Sequence, residues 1–365
     1  MPPERNSPPP ADDNDYAEDH ANRDGDPPDS PPVPSLTRVV HGCDIGFEGI
    51  ETVDWLWEPY LAFGSLSILD GDPGVGKSLI AADIAARLST RRDFPDGKKS
   101  PLNPTNPRQL VPTIFASAED SVRKSIIPRI AAAGGTPHTA IFLGGVIEDC
   151  RPFALPHDLP LLLVALRKFP GSFFVLDPIM ALIDRTVPVG NDQAIRELLT
   201  PLARLAAATR SCILMLRHLT PRQSRRSLYR GAGSIGILGT CRTGLVVERH
   251  PDDPERRILA MTKTNLGPEA PSLGFRLKLA PEQIIEWPYQ AGMKNPETGE
   301  ELKEPRKFAH LIPPQPVIEW EGVSPLTADD LCQAKTDATG PGLRAAAWLK
   351  KVLANGPVAA TEIEK

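Results

Sequence analysis

The sequence predicts an α/β fold in which a central, mostly parallel, twisted sheet is covered by helices on both faces. The first observation is a set of short apolar segments, such as residues 172–176 and 212–216, in which polar residues do not alternate with apolar ones. Such segments are typical of parallel strands that are buried on both faces. The second observation is that segments with helical spacing, such as residues 78–88, alternate with these strands along the chain, as they do where helices cover a parallel sheet.

The individual elements follow in order from the same patterns. Strands are expected at residues 65–69, 113–116, 141–143, 172–176, 212–216, 244–247 and 258–261. Helices are expected at residues 78–88, between 120 and 134, at 161–169 and at 195–208, with a break at Pro201. Residues 92–108 are rich in proline and turn signals, which predicts a long surface connection.

Composition divides the chain outside this domain, which we place at residues 41–290. Residues 1–35 hold nine acidic and two basic residues and ten of the 41 prolines. Such a segment cannot bury enough apolar surface to offset the entropy of ordering it, so we predict a disordered, acidic, proline-rich tail over residues 1–40. Residues 291–340 are polar and rich in proline and are predicted to be a linker, whereas residues 341–365 begin a further helical element.

Cysteine usage and hydropathy indicate the cellular setting. The chain has five scattered cysteines and no C-x-x-C pair, which argues against a disulfide framework or a zinc site. No segment approaches the roughly 18–20 apolar residues of a membrane span. We therefore expect a soluble, cytoplasmic protein without a membrane partner.

A glycine-rich motif lies between the first strand and the first helix. In the pattern G-x-x-x-x-G-K-[ST], backbone N–H groups surround the phosphates, the lysine reaches the β- and γ-phosphates, and the hydroxyl binds Mg²⁺. The motif therefore predicts ATP and Mg²⁺ as ligands, with Lys77 also acting in catalysis and Ser78 also binding the metal. The predicted nucleotide-binding residues are Gly71, Asp72, Pro73, Gly74, Val75, Gly76, Lys77 and Ser78.

Polar side chains follow the next strands, at the sheet edge where ligands bind in such folds. Asp177 is predicted to bind Mg²⁺ and Glu119 to act as the catalytic carboxylate that polarises water, with Asp120 in a supporting or metal-side role. His218 is predicted to sense the γ-phosphate. The alternatives are an ordinary strand-end aspartate, an acid pair at a helix N-terminus, and a structural histidine.

Residues 198–247 contain eight arginines and no acidic residue. Four of these arginines crowd into the segment after His218, which predicts contact with nucleic-acid phosphates; a solvated loop, or one balanced by acids elsewhere, is the alternative. The four predicted DNA-binding residues are Arg222, Arg225, Arg226 and Arg230.

Two further cations precede or follow the later strands. Arg242 is predicted to act as an arginine finger on the γ-phosphate of a neighbouring subunit, and Lys263 is placed similarly. Residues 231–236 match the dinucleotide pattern G-x-G-x-x-G, but they follow a basic segment rather than a strand. We interpret these small residues as allowing close packing of a helix.

The motifs together resemble those of the RepA-type branch of RecA-like ATPases, the hexameric replicative helicases of plasmids and phages. The resemblance covers roughly residues 45–290. It is carried by the phosphate-binding motif, Ala-Glu-Asp (118–120), Phe-Val-Leu-Asp-Pro (174–178), Leu-Arg-His (216–218), Arg-Gly-Ala-Gly-Ser (230–234), Arg242 and Lys-Thr-Asn-Leu (263–266).

This resemblance implies a RecA-like P-loop NTPase domain that assembles as a homo-hexamer, with ATP between subunits. It implies that Glu119 is the catalytic carboxylate, that Arg242 acts in trans, and that single-stranded DNA passes through the ring. A replication initiator or loader protein is a further expected partner. Residues 341–365 resemble the start of a truncated winged-helix-like domain.

Three functions remain open at this stage. The first is a DNA-dependent helicase or translocase in plasmid or phage replication. The second is a nucleotide-gated DNA-binding or regulatory ATPase that unwinds nothing. The third, a P-loop kinase of a small metabolite, is disfavoured because the chain shows no evident lid or acceptor pocket.

Overall fold

The computed structural model describes residues 52–144, 151–220 and 231–339. The tail predicted at residues 1–40 and the domain start predicted at 341–365 lie outside these residues. Within the described ranges, no helix is both long enough and apolar enough to cross a membrane.

The chain alternates strands and helices as expected. A hairpin of β1 (Trp55–Trp57) and β2 (Leu61–Ala62) precedes β3 (Ser65–Gly71), α1 (Lys77–Thr90) and β4 (Thr113–Ser117). A π-helical turn (Val122–Ile126), α2 (Ile127–Ala132), β5 (Ala140–Phe142), α3 (Leu159–Lys168) and β6 (Phe173–Asp177) follow. Next come α4 (Ile179–Leu182), α5 (Asp192–Thr209), β7 (Cys212–His218), α6 (Gly236–Thr240), β8 (Thr243–Arg249), β9 (Arg256–Thr264), β10 (Ser272–Ala280), β11 (Gln283–Tyr289), β12 (Arg306–Ile312), β13 (Gln315–Ser324) and α7 (Ala328–Thr339).

The main sheet has nine strands in the order β13-β10-β9-β8-β3-β7-β6-β4-β5. The six strands from β8 to β5 are parallel to one another, whereas β9, β10 and β13 join by antiparallel pairing. Helices α1 and α2 contribute to the core on one face, and α3 and α5 to the core on the other. The mixed α/β fold with a large, mostly parallel sheet, as in P-loop NTPases, is therefore confirmed.

Strand β6 shows why the apolar segments are continuous. Residues 173–176 are all fully buried, and Phe173 and Val175 belong to one core cluster while Phe174 and Leu176 belong to the other. Because successive side chains point to opposite faces of a strand, a strand covered on both faces needs apolar residues at every position.

Two predictions about the helices and strands are wrong. The segment predicted as a linker, residues 291–340, contains β12, β13 and α7, and β13 forms an edge of the main sheet by pairing with β10. Helix α5 also continues through Pro201 without a break. Its buried leucines pack against the sheet, and this tertiary packing outweighs the loss of one helical hydrogen bond.

The connection at residues 92–108 contains no helix or strand, as predicted, yet it is anchored in the core at two points. The ring of Phe94, 3% exposed, stacks on Trp57 with 5.0 Å between ring centroids. Asn103 is 1% exposed, and its amide donates a hydrogen bond to the backbone oxygen of Pro170 at 3.1 Å. The connection is therefore part of the packed structure.

Candidate active site

The phosphate-binding motif forms an open loop between β3 and α1. Gly76, the residue before the helix, has φ of 105°, a conformation that side chains rarely adopt. A Cβ on Gly71 would lie only 2.9 Å from the backbone oxygen of Val247. A Cβ on Gly74 would meet nothing within 4 Å, so the loop opens to solvent on that side. The glycines are thus required by conformation and close approach, and the concave loop has the form of a phosphate cradle.

Lys77 lies across this loop. Its ammonium donates hydrogen bonds to the backbone oxygens of Gly71 and Asp72, at 2.8 and 2.9 Å. The residue is only 6% exposed, and burial lowers the pKa of Lys77 while the nearby carboxylates, Asp177 first, oppose that shift. The charge is therefore held in place at the mouth of the loop, where a phosphate would lie.

Asp177 and Ser78 meet below the loop. The Ser78 side chain is hydrogen-bonded to the Asp177 carboxylate. Burial raises the pKa of Asp177 to about 6, with the Asp120 and Glu119 charges adding to the shift, while Ser78 and Lys77 oppose it. Burial therefore disfavours the charged form of this carboxylate, and a cation bound beside it would favour that form.

The same side chains fit a magnesium ion. Ser78, Asp120 and Asp177 line a cavity of about 10 Å³, which is close to the space that one water or ion needs, and the guanidinium of Arg129, paired with Asp120, lines it as well. Hydroxyl and carboxylate oxygens are the ligands that Mg²⁺ prefers, and few protein ligands suffice because Mg²⁺ keeps several waters. The predicted metal ligands are therefore brought together with suitable chemistry.

His218 lies between Lys77 and Glu119. Its Nδ1 is 3.3 Å from the Lys77 ammonium and its Nε2 is 3.8 Å from a carboxylate oxygen of Glu119. Because an ammonium can only donate, Nδ1 accepts and the imidazole proton is on Nε2, facing Glu119. The Glu119 side chain is 61% exposed. It can therefore reach a water in front of the loop.

Asp120, unlike the exposed Glu119, is held by two contacts close to the turn after β4. One of its carboxylate oxygens is 2.5 Å from the Arg129 guanidinium, and its backbone N–H donates to the Ser117 hydroxyl at 3.0 Å. These contacts fix the turn after β4, from which Glu119 projects. The predicted supporting role is compatible with this arrangement.

Arg242 lies at the opposite edge of the sheet. Its backbone N–H donates to the oxygen of Leu66, at 2.8 Å, near the start of β3. The phosphate loop begins five residues later in β3, so the two points are about 17 Å apart along the strand. Arg242 shares an open cavity of about 460 Å³ with Arg196 and Arg204 from α5, and no acidic residue lines that cavity.

Lys263 has a role that the sequence did not predict. Its ammonium donates to the backbone oxygens of Leu238 and Cys241, each at 2.8 Å, at the end of α6. Burial lowers the pKa of Lys263, and the charges of Arg242 and Arg196 lower it further. Lys263 therefore holds the turn that precedes Arg242, and is not a free cation like the one expected from its position.

A buried ion pair next to the loop was also missed. The Arg217 guanidinium makes two hydrogen bonds to the Asp70 carboxylate, at 2.7 and 2.8 Å, and these residues are 1% and 4% exposed. Arg217 also donates to the oxygen of Ala232 at 3.2 Å, and a Cβ on Gly231 would lie 1.8 Å from its guanidinium. The only sign of this pair in the sequence is that β3 and β7, both otherwise largely apolar, contain one acidic residue and one arginine respectively.

The arginine-rich segment is only partly described. Arg217 pairs with Asp70 and Arg210 with Asp54, so the alternative of balancing acids holds for these two. Gly236 begins α6 and packs against Asp192 of α5, as expected for the small residues at 231–236. Four predicted DNA-binding residues lie outside the described part of the chain, namely Arg222, Arg225, Arg226 and Arg230.

Comparison with known proteins finds one family. Residues 39–224, just over half of the chain, match a family model described as an AAA domain. The matched region includes β3, the phosphate loop, Glu119, Asp177 and His218. A search of curated proteins finds no match.

Proposed function

The chain belongs to the AAA domain family of P-loop ATPases, and from that premise we propose that it is a RecA-like, DNA-dependent ATPase. In this proposal, it acts as a helicase or translocase in plasmid or phage replication. The observation that carries hydrolysis is the meeting of Lys77, Asp177, Glu119 and His218 at one sheet edge. The observation that carries DNA dependence is the acid-free, arginine-rich sequence that follows His218.

Each side chain has a role in this proposal. Lys77 exchanges the carbonyls of Gly71 and Asp72 for phosphate oxygens, and Ser78 and Asp177 would hold Mg²⁺. When bound, Mg²⁺ would neutralise charge on the phosphate oxygens. Glu119 orients the attacking water and accepts its proton.

His218 links this chemistry to DNA. The histidine touches both Lys77 and Glu119, and the chain continues from it into the segment that contains Arg222, Arg225, Arg226 and Arg230. Replacement of ATP by ADP changes the charge that Lys77 faces, and therefore the hydrogen bond that His218 accepts. DNA affinity of the basic segment follows the nucleotide in this way.

Arg242 completes the site of a neighbouring copy. It lies too far from its own phosphate loop to act there, and its cavity contains two further guanidinium groups that favour an anion. A homo-hexameric ring around single-stranded DNA is the assembly that this role fits.

The first experiment measures ATP hydrolysis with and without single-stranded DNA at low salt. We expect stimulation by DNA, loss of all hydrolysis in Lys77→Ala, and loss of the stimulation alone when Arg222, Arg225, Arg226 and Arg230 are replaced together by alanine. Stimulation should also fall steeply with salt. Hydrolysis that ignores DNA would exclude the motor, and DNA-stimulated hydrolysis without strand displacement would favour the regulatory ATPase.

The second experiment tests action in trans. Arg242→Ala should bind ATP but not hydrolyse it, and mixing it with Lys77→Ala should restore part of the activity, since each variant supplies what the other lacks. The control is Arg185→Ala, which should keep full activity, because Arg185 lies before α5 and does not line the cavity of Arg242. Absence of rescue in the mixture would return Arg242 to a structural role.

A further inference from the structure

The antiparallel pair of β10 and β13, which are joined through β11 and β12, extends past the strands that flank it in the main sheet. Strand β9 pairs with β10 only at residues 273–276, whereas β13 pairs with β10 through Ala280. Beyond the point where β9 stops pairing, residues 277–280 and 315–318 therefore form a two-stranded ribbon about 13 Å long. We call these residues the ribbon.

The ribbon extends at the edge where the phosphate loop lies. Strand β8 is parallel to β3, and two antiparallel steps, through β9, give β10 the same direction as β3. The C-terminal end of β10 and the loop that follows β3 are therefore at the same edge.

One face of the ribbon is turned toward the loop. The side chains of Phe275 and Leu277 lie 3.5 Å from the point that a Cβ on Gly76 would occupy. Leu279 is two residues further along and on the same face, about 7 Å beyond Leu277. Ile318 and Pro316 lie opposite Leu277 and Leu279 in the register and continue this apolar face.

The two faces of the ribbon differ in chemistry. Lys278 and Glu319 form an ion pair of 3.1 Å on the other face. On the loop side, Leu279 is 67% exposed, although Leu277 and Ile318 pack partly against the core. An exposed apolar surface beside a polar ligand site is a candidate for the apolar part of the ligand.

The sheet order indicates which part of a nucleotide this is. The acids and His218 that would face the γ-phosphate follow β4, β6 and β7, all on one side of β3. Strand β10 is on the other side of β3, beyond β8 and β9. A triphosphate with its γ end toward Glu119 therefore directs its nucleoside end toward the ribbon.

We propose that the apolar face of the ribbon, including the exposed Leu279, binds the nucleobase of the nucleotide whose phosphates the loop holds. This inference rests on the proposed nucleotide site. Leu277, Leu279, Ile318 and Pro316 provide the apolar surface against which one face of a base lies, and burial of both surfaces supplies the affinity.

The test separates base from phosphate. Binding of Mg²⁺ with ATP, ADP or inorganic tripolyphosphate is measured by calorimetry for the wild type and for Leu279→Ser. We expect the affinity for ATP and ADP to fall about tenfold in Leu279→Ser, whereas that for tripolyphosphate stays unchanged. The control is Leu311→Ser, which removes a similarly exposed leucine, 62% exposed, from β12 and should bind all three ligands like the wild type.

Each other outcome overturns the inference in a distinguishable way. Equal weakening of ATP and tripolyphosphate would mean that the ribbon supports the loop and does not bind the base. Unchanged ATP binding in Leu279→Ser would place the base elsewhere and leave the phosphate site intact. A wild type that binds neither ATP nor tripolyphosphate would overturn the proposed function together with this inference.

Discussion

Removal of one partner of the buried pair between Asp70 and Arg217 should destabilise the protein strongly. In Arg217→Met, the Asp70 carboxylate, 4% exposed, loses both of its guanidinium hydrogen bonds and remains in the interior. Leaving one charge of a buried pair uncompensated costs about 3–5 kcal/mol of unfolding free energy. Asp70→Leu should have a similar cost, because it leaves the guanidinium unpaired.

The double variant distinguishes this explanation from simple loss of packing. When both charges are replaced by apolar groups, the desolvation cost of both ions disappears, and buried pairs replaced in this way are often no less stable than the original. We therefore expect Asp70→Leu/Arg217→Met to be more stable than either single variant, with a coupling energy of about 3 kcal/mol or more.

Urea unfolding at constant pH measures these differences from the midpoint and slope of each transition. Arg276→Met is the matched control, because Arg276 pairs with Asp253 and Glu321 but its side chain is 38% exposed. An exposed pair contributes about 0–1 kcal/mol. If Arg217→Met cost no more than Arg276→Met, the buried pair would not have the energetic role that we assign to it.

Three further predictions concern the loop and its surroundings. Asp177→Asn should stabilise the ligand-free protein by up to about 3 kcal/mol above pH 6. The reason is the raised pKa of Asp177, about 6, because of which the unfolding free energy of the wild type falls as pH rises from about 4 to 6. Urea unfolding at pH 4 and pH 8 without Mg²⁺ checks this. Glu119→Gln should reduce steady-state hydrolysis by about 10²–10⁴-fold with ATP affinity retained. Gly231→Ala should cost about 1–3 kcal/mol through overlap with Arg217, whereas Gly190→Ala, with open space around it, should cost under about 1 kcal/mol by the same unfolding measurement.

The parallel part of the sheet could be predicted because its signals are local. Strands β6 and β7 begin with uninterrupted apolar segments, residues 173–176 and 212–216, and the phosphate motif fixes the turn between β3 and α1 by its own glycines. The residues that follow these strands meet at one edge because parallel strands bring their carboxyl ends together. Asp177, Glu119 and His218 were found in this way.

The rest depended on contacts between distant residues. The polar, proline-rich composition of residues 291–340 predicts a linker, but a solvent-exposed edge strand such as β13, in which Glu319 and Glu321 flank Trp320, has a similarly polar composition. Asp70 and Arg217 are 147 residues apart, so their pairing has no local signal. The binding of the Lys263 ammonium to backbone oxygens could not be predicted either, because every residue has a backbone oxygen and the sequence does not show which ones a lysine reaches.

If Arg242 acts on another copy's nucleotide as proposed, the two ends of the sheet limit how copies can be arranged. In a head-to-tail arrangement, each chain would extend Arg242 from one end of its sheet and receive a neighbour's Arg242 at the opposite end, which is a heterologous contact. A two-fold pair would complete both sites only with the two sheets antiparallel, so that each Arg242 meets the other copy's phosphate loop. In a head-to-tail row that stays open, the nucleotide at one end would lack an Arg242 from a neighbouring copy. Closing the row into a ring would remove that end, so ATP turnover per chain should increase when the last copy joins.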